Sequence, residues 1–384
     1  MAVPLSWDIF CRVVDNFGDI GVCWRLSRQF AGRLGDTVRL WADDLKSLQA
    51  LCPQVDAAAA VQHVEGIEVC RWDGAFPAVT PAQVVIEGFG CGLPDAYIEA
   101  MVSRSPRTLW ITLEYLSAEP WVSEHHGLPS PHPRWPLERY FFFPGFVVGT
   151  GGILREAGLF ARRAAFGDGG RRQLWTGLGF EPPTAEATVV SLFAYENAPV
   201  ADLLAAWELG QELTVAAIPE GRIVKPVLDW LGVAAAGVGR SFQRGQLEVR
   251  MVPFVAQPRY DQLLWACDCN LVRGEDSFVR AQWAGKPMIW QAYSQQEQAH
   301  WPKLEAFLDL YCAGLPRDAA AAMRGMWQAW NGVGEAPRPV AEAWREFRAQ
   351  RIALEEYAPV WAQKLAEVGE LSEMLAQFCQ DKLK

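Results

Sequence analysis

At 384 residues the chain exceeds one ordinary core, and at roughly 100–200 residues per domain it predicts two. Half of the residues are hydrophobic (51%), which excludes a disordered chain, and a net charge of −10 argues against a general nucleic-acid binder, whose surface must neutralise phosphate. The longest uncharged stretch, Tyr140 to Leu154, is shorter than the roughly 20 apolar residues of a membrane span, so no membrane segment is expected.

In chain order, Trp7–Val14 reads as a strand and Ile20–Leu34 as a helix, followed by strand Thr37–Ala42 and a short helix Asp43–Leu51. Further strands are expected at Ile67–Trp72, Gln83–Ile86 and Thr108–Leu113. Near-continuous apolar strands between helices predict a parallel sheet covered on both faces. Ser117–Phe146, rich in Pro, His and aromatics, reads as a long loop with a short strand at Tyr140–Phe143. Gly177–Thr184 is the expected linker. The pattern then restarts with strands Thr188–Ala194, Glu212–Ala217, Leu247–Val255, Asp268–Val272 and Pro287–Trp290. Helices Val200–Trp207, Ile223–Leu231, Tyr260–Ala266 and Ser277–Ala284 fall between them, and after Gln295 the chain is helical. The expected division is 1–180, 184–360 and a C-terminal helix, 361–384. Eighteen tryptophans require many niches that bury an indole and satisfy its N–H. The N-terminus lacks the basic and apolar regions of a signal peptide, and nine scattered cysteines suit reduced thiols in a cytoplasm.

In sheets of this kind ligands sit at the carboxyl ends of the strands. Two segments there carry chemistry. The first is Asp15-Asn16-Phe17-Gly18-Asp19-Ile20-Gly21, with two carboxylates and two glycines between the first strand and the first helix. It is no G-x-G-x-x-G fingerprint, and Asp19 as a helix cap with Asp15 as a turn residue explains it equally well. The second is Arg273-Gly274-Glu275-Asp276-Ser277-Phe278, between a strand and a helix start suited to a diphosphate. Arg273 offers positive charge and Ser277 a hydroxyl, whereas Glu275 and Asp276 fit hydroxyls of a sugar, or capping, better than phosphate. A polar run, Gln291 to His300, follows the next strand, and its Glu297/His300 pair reads as a surface contact. Cys267-Asp268-Cys269 reads as buried packing, and core packing accounts for Phe193, Tyr195 and Phe254 taken singly. No serine elbow, phosphate loop or Asp-x-Asp pair is present, so a nucleotide-diphosphate ligand would be held without metal, by helix N–H groups and arginine.

The runs Asp15–Leu26 and Arg273–Gln282 closely resemble the EarP family of bacterial protein-arginine rhamnosyltransferases that modify translation elongation factor P. Trp41-Ala42-Asp43-Asp44, Glu114-Tyr115-Leu116-Ser117-Ala118-Glu119 and Ala284-Gly285-Lys286-Pro287 extend the resemblance over the chain. It implies a GT-B fold, two Rossmann-like domains facing across a cleft, with C-terminal helices crossing back to the first domain. It implies inverting transfer of L-rhamnose from dTDP-β-L-rhamnose to an arginine nitrogen of elongation factor P, activating that factor for ribosomes stalled at polyproline. No cofactor beyond the donor substrate is implied, and no metal. The acceptor would dock on the first domain and the donor on the second. Asp15, Asp19 and Glu275 correspond to the essential carboxylates, with Asn16, Phe17, Gly18 and Gly21 supporting the acceptor loop. Phe254 or Phe193 would stack on thymine, and Tyr195, Gln257, Arg273, Asp276 and Ser277 would contact the nucleotide sugar. The alternatives are a nucleotide-sugar epimerase or hydrolase without a protein acceptor, and a non-enzymatic scaffold.

Overall fold

The structure, a computed structural model, describes residues 4–14, 17–33, 35–74, 76–235, 237–293, 300–334 and 337–384. The chain divides into two compact units, residues 1–157 with 365–384, and residues 158–364.

In the first unit the elements run β1 Ser6–Cys11, α1 Gly18–Arg33, β2 Thr37–Ala42, α2 Leu45–Leu51, β3 Val61–Val64, β4 Ile67–Arg71 and β5 Val84–Gly88. Then follow α3 Asp95–Ser103, β6 Leu109–Leu113, α4 Trp121–His125, β7 Pro129–Pro131 and β8 Glu138–Phe142. The sheet order is β3-β4-β2-β1-β5-β6-β8-β7, in which all neighbours are parallel except the two edge pairs β3·β4 and β7·β8. Ile9 of β1 pairs with Leu40 on one side and Ile86 on the other. Both β5 and β6 are buried along their whole length, as expected of strands covered on two faces. Phe10, Trp41, Tyr97 and Trp110 form the core of one face. Strand β1 stops at Cys11, three residues before the sequence predicts, because the Val13 amide leaves the ladder and donates to Asp43 Oδ1 at 2.9 Å.

The second unit opens with α5 Leu159–Gly177, then β9 Thr188–Leu192, α6 Val200–Glu208, β10 Thr214–Pro219, α7 Val224–Leu231, β11 Ser241–Arg244 and β12 Leu247–Val252. It continues through α8 Gln257–Ala266, β13 Cys269–Arg273, α9 Glu275–Ala284, β14 Met288–Gln291, α10 His300–Cys312, α11 Arg317–Asn331, α12 Val340–Ala349 and α13 Arg351–Val368, whose last four residues belong to the first unit. The order is β11-β12-β10-β9-β13-β14, parallel except for β11. The sequence puts 159–177 ahead of the linker; by contact α5 lies in the second unit, where it packs on α8.

Three helices begin earlier than their apolar pattern suggests, α1 at Gly18 among them. Helix α8 starts at Gln257, with Pro258 in its first turn, and α9 starts at Glu275. Polar first-turn residues hide such starts from hydrophobic periodicity. The last helix, α14 Leu371–Leu383, belongs to the first unit. Its N-cap Glu370 accepts from the Glu373 amide at 2.9 Å and the Arg155 amide at 3.2 Å, and Phe378 meets the rings of Tyr140 and Phe142 edge-on. Many indoles serve as scaffold. Trp7 donates to Asp36, Trp110 to Glu87, Trp290 to the Gly274 carbonyl and Trp361 to Gln282. Among the described residues no helix is long and apolar enough to cross a membrane.

Candidate active site

Each sheet reverses its strand order at one place, β1/β5 in the first unit and β9/β13 in the second, and the crevice beyond the carboxyl ends of such strands is where open α/β sheets take ligands. Asp19, Phe193, Tyr195, Arg273 and the first turn of α9 fall at these two places.

In the first unit, β1 leads through Arg12–Val14 into α1; Asp15 and Asn16 lie outside the described residues. Phe17 precedes the helix, Gly18 is its first residue, and the Gly21 amide closes the first turn on the Phe17 carbonyl at 2.9 Å. Asp19 is 1% exposed and sits in that turn, where unpaired N–H groups favour a negative charge. Its Oδ2 accepts from the Val14 amide at 2.8 Å, five residues back across the motif, and its Oδ1 accepts from the Tyr115 hydroxyl at 3.2 Å. Asp19 therefore ties the β1–α1 loop to the segment after β6, which is more than a helix cap does. Close approach is enforced next to it: a β-carbon on Gly88, the last residue of β5, would lie 2.8 Å from the Phe10 carbonyl oxygen and 3.1 Å from Cys23 Sγ of α1.

In the second unit, the residues after β9 and β13 form one cluster. The Arg273 guanidinium lies 4.5 Å from the ring centre of Phe193 and 4.6 Å from that of Tyr195. Tyr260, from α8, meets the Phe193 ring at a steep angle, with centroids 6.0 Å apart. The Tyr195 amide donates to Gln291 Oε1 at 2.7 Å, and Gln291 Nε2 reaches Asn197 at 3.1 Å. Gly274 takes φ 68° and ψ −176°, a conformation open essentially to glycine alone, and so turns the chain from β13 directly into α9. Glu275 and Asp276 consequently occupy the first turn of α9, with Ser277 immediately after. Buried Arg280, one turn further on, holds Asp261 of α8 through two bonds of 2.8 and 2.7 Å. This pair fixes α9 against the helix that carries Gln257 and Tyr260. Burial pushes the Tyr260 phenol well above its ordinary pKa, with Ser277 acting the other way, so the hydroxyl stays neutral.

Phe193, Tyr195, Arg273 and the start of α9 are thus brought together, while Gln257 opens α8 and half-buried Phe254 follows β12. Phe193 is only 8% exposed and has the guanidinium on its face. Sequence reasoning did not single out Tyr115, Phe89, Asn197 or Tyr260 as site residues. Tyr115 lay in a run that carried the family resemblance; nothing in pattern or spacing marked the others. In the polar run after β14, Gln291 is buried in the cluster, whereas Glu297 lies outside the described residues. Cys267 and Cys269 are buried, and burial raises both thiols.

The model of the EF-P rhamnosyltransferase family EarP matches residues 7–380. The chain belongs to the EarP family. It is 48% identical over 380 residues to the protein-arginine rhamnosyltransferase of Pseudomonas putida, covering 98% of this chain and 99% of that one. Among solved structures, one concerned with EarP-mediated arginine glycosylation of translation elongation factor EF-P shares 37% identity and a TM-score of 0.69, over 98% of this chain and 99% of its own. A glycosyltransferase from Rickettsia africae, at 8% identity and a TM-score of 0.55 over 99% of both chains, shares the fold alone. This EarP-family enzyme accordingly has the GT-B glycosyltransferase fold, built from two Rossmann-like units.

Proposed function

We propose that the enzyme transfers L-rhamnose from dTDP-β-L-rhamnose to an arginine guanidinium nitrogen of elongation factor P, with inversion to the α-linkage. The observation that carries this reading is Asp19, a buried carboxylate held at the switch point of the first sheet by two separate chain segments. A carboxylate fixed in this way suits a cationic acceptor, since guanidinium and carboxylate pair through two parallel hydrogen bonds. Membership of the EarP family supports this choice of sugar and acceptor class.

In the proposed reaction the acceptor docks on the first unit, where Asp19 orients the guanidinium and Asp15 assists. The donor binds the second unit. Phe254 stacks on thymine, and Tyr195, Gln257 and Asp276 contact the nucleotide sugar. Arg273, Ser277 and the N–H groups opening α9 meet the diphosphate, while Glu275 is the third essential carboxylate and faces the sugar hydroxyls. The bond from rhamnose C1 to the diphosphate oxygen breaks as the bond from C1 to nitrogen forms. The nitrogen gives up its proton to the Asp19 carboxylate as that bond forms or afterwards, and dTDP leaves with its charge met by arginine and helix N–H groups. No metal or other cofactor enters this scheme. We place the reaction in the cytoplasm, with an acceptor that acts on ribosomes stalled at polyproline.

The test is incubation of the enzyme with dTDP-rhamnose and elongation factor P, followed by intact mass of the acceptor. A gain of one deoxyhexosyl residue on its arginine is expected. Free rhamnose or an altered nucleotide sugar, with the acceptor unchanged, would instead favour a hydrolase or epimerase.

A further inference from the structure

We propose that Tyr115 is a positioning residue for Asp19, held in place by a strained aromatic platform at Phe89. The inference rests on the function proposed above and concerns how its acceptor-side carboxylate is aimed. Tyr115 lies two residues beyond β6, and its hydroxyl donates to Asp19 Oδ1 at 3.2 Å from 96 positions away in the chain. Its ring stacks on Phe89, with centroids 4.5 Å apart and planes 20° from parallel. Phe89 has φ +55°, a left-handed conformation that a bulky side chain adopts only under strain. The strain is held by context: the Phe89 amide donates to the Leu113 carbonyl at 2.7 Å, tying the end of β5 to the end of β6 directly beside Tyr115. A phenylalanine turned the unfavourable way so that its ring lies under a tyrosine is hard to explain by packing alone, because Tyr115 is 36% exposed and contributes little to the core.

The geometry gives the carboxylate two fixed points. The Val14 amide sets Oδ2 and the Tyr115 hydroxyl sets Oδ1, so rotation about the bond to the carboxylate is blocked from both sides. Tyr115 acts on the reaction through Asp19 and does not itself exchange atoms with substrate.

The experiment compares the full-length wild type with Tyr115→Phe and Phe89→Ala, using dTDP-rhamnose and elongation factor P. Tyr115→Phe keeps the stacked ring and removes only the hydroxyl. The expected result is a fall in kcat of roughly ten- to a hundredfold, the usual weight of a hydrogen bond to a charged group, with KM for the acceptor, Kd for the donor and Tm nearly unchanged. Phe89→Ala keeps the hydroxyl but removes its platform, and a smaller loss in kcat is expected. An unchanged kcat in Tyr115→Phe overturns the proposal. So does a loss confined to acceptor KM, which would make Tyr115 an acceptor contact, or a loss that merely follows Tm. The wild type, assayed alongside, separates the two levels: if it transfers no rhamnose, the proposed function fails as well, whereas an active wild type with an equally active Tyr115→Phe overturns only this assignment.

Discussion

The pair Arg280–Asp261 holds α9 against α8, and its removal has consequences that can be worked out. Both side chains are nearly excluded from solvent, at 1% and 8%, and the contact is bidentate. Replacing Arg280 with Met leaves the Asp261 carboxylate buried without its countercharge. Breaking a buried pair in this way typically costs about 3–5 kcal/mol, whereas the intact pair contributes little over a hydrophobic replacement of both partners. For a unit of this size each kcal/mol moves Tm by roughly 2–4 °C, so a fall of about 6–20 °C is expected in thermal unfolding. Replacing both residues, Arg280→Met with Asp261→Leu, should recover most of it. Function adds a second reading. Below the transition, the start of α9 should be less firmly held while the Asp19 region is untouched, so KM for dTDP-rhamnose should rise and KM for elongation factor P should not. If Arg280→Met costs less than about 1 kcal/mol, or the double variant is no better than the single one, the pair does not hold α9 and the reasoning fails.

Three further outcomes are expected. Asp19→Asn should abolish rhamnose transfer while leaving dTDP-rhamnose affinity by calorimetry within about twofold, and a matching loss of donor affinity would remove Asp19 from the acceptor side. Phe254→Ala should weaken donor binding by about five- to 150-fold, as loss of base stacking does, while Phe193→Ala should act mainly on Tm through its contact with Arg273; the reverse pattern would assign the base to Phe193. His126 is held below its ordinary pKa by burial, and its Nδ1 accepts from the Phe143 amide at 3.1 Å. Because the unfolded chain then takes up a proton more readily than the folded one, this contribution to stability is present above the ordinary histidine value of about 6.5 and is lost as pH falls below it. Melting curves across that range should show a decline that His126→Phe reduces, and an identical decline in the variant would dissociate it from this imidazole.

Much of this was legible because it depends on local pattern. The apolar runs of β1, β2, β9 and β13 are buried on both faces, and that composition marks parallel strands directly. Strands β3, β7 and β11 escaped because they are short, half-exposed edges without an apolar run. Of these, β3 had one signal after all, Gly66 just before the apolar run of β4, which in the structure forms with Glu65 a two-residue turn with φ of 51° and 80°. Helix α5 is interrupted by Gly167, Gly169 and Gly170, whose low helix propensity masks it. In the site, motif position located Asp19 and Arg273, but their partners come from distant chain. Tyr115 reaches Asp19 only once the parallel order has set β6 one strand from β1, across β5, and Phe193 reaches Arg273 only once it has set β9 directly beside β13.

Energetics also constrain what a carboxylate such as Asp19 does in the proposed transfer. An aspartate has an ordinary pKa near 3.9 and a guanidinium one above about 12, a gap of at least 8 units, or roughly 11 kcal/mol at 1.36 kcal/mol per unit. A turnover of about 10 per second corresponds to a total barrier near 16 kcal/mol. Full deprotonation of arginine before attack would therefore consume about two-thirds of the barrier before any bond to rhamnose formed. The proton must instead leave as the bond from C1 to nitrogen forms or afterwards, and the first task of the carboxylate is to hold one guanidinium nitrogen on line with C1 while drawing positive charge toward its own oxygens. That task depends on geometry more than on basicity. A carboxylate fixed by a backbone amide on one oxygen and a tyrosine hydroxyl on the other is well made for it, since both bonds restrict its rotation.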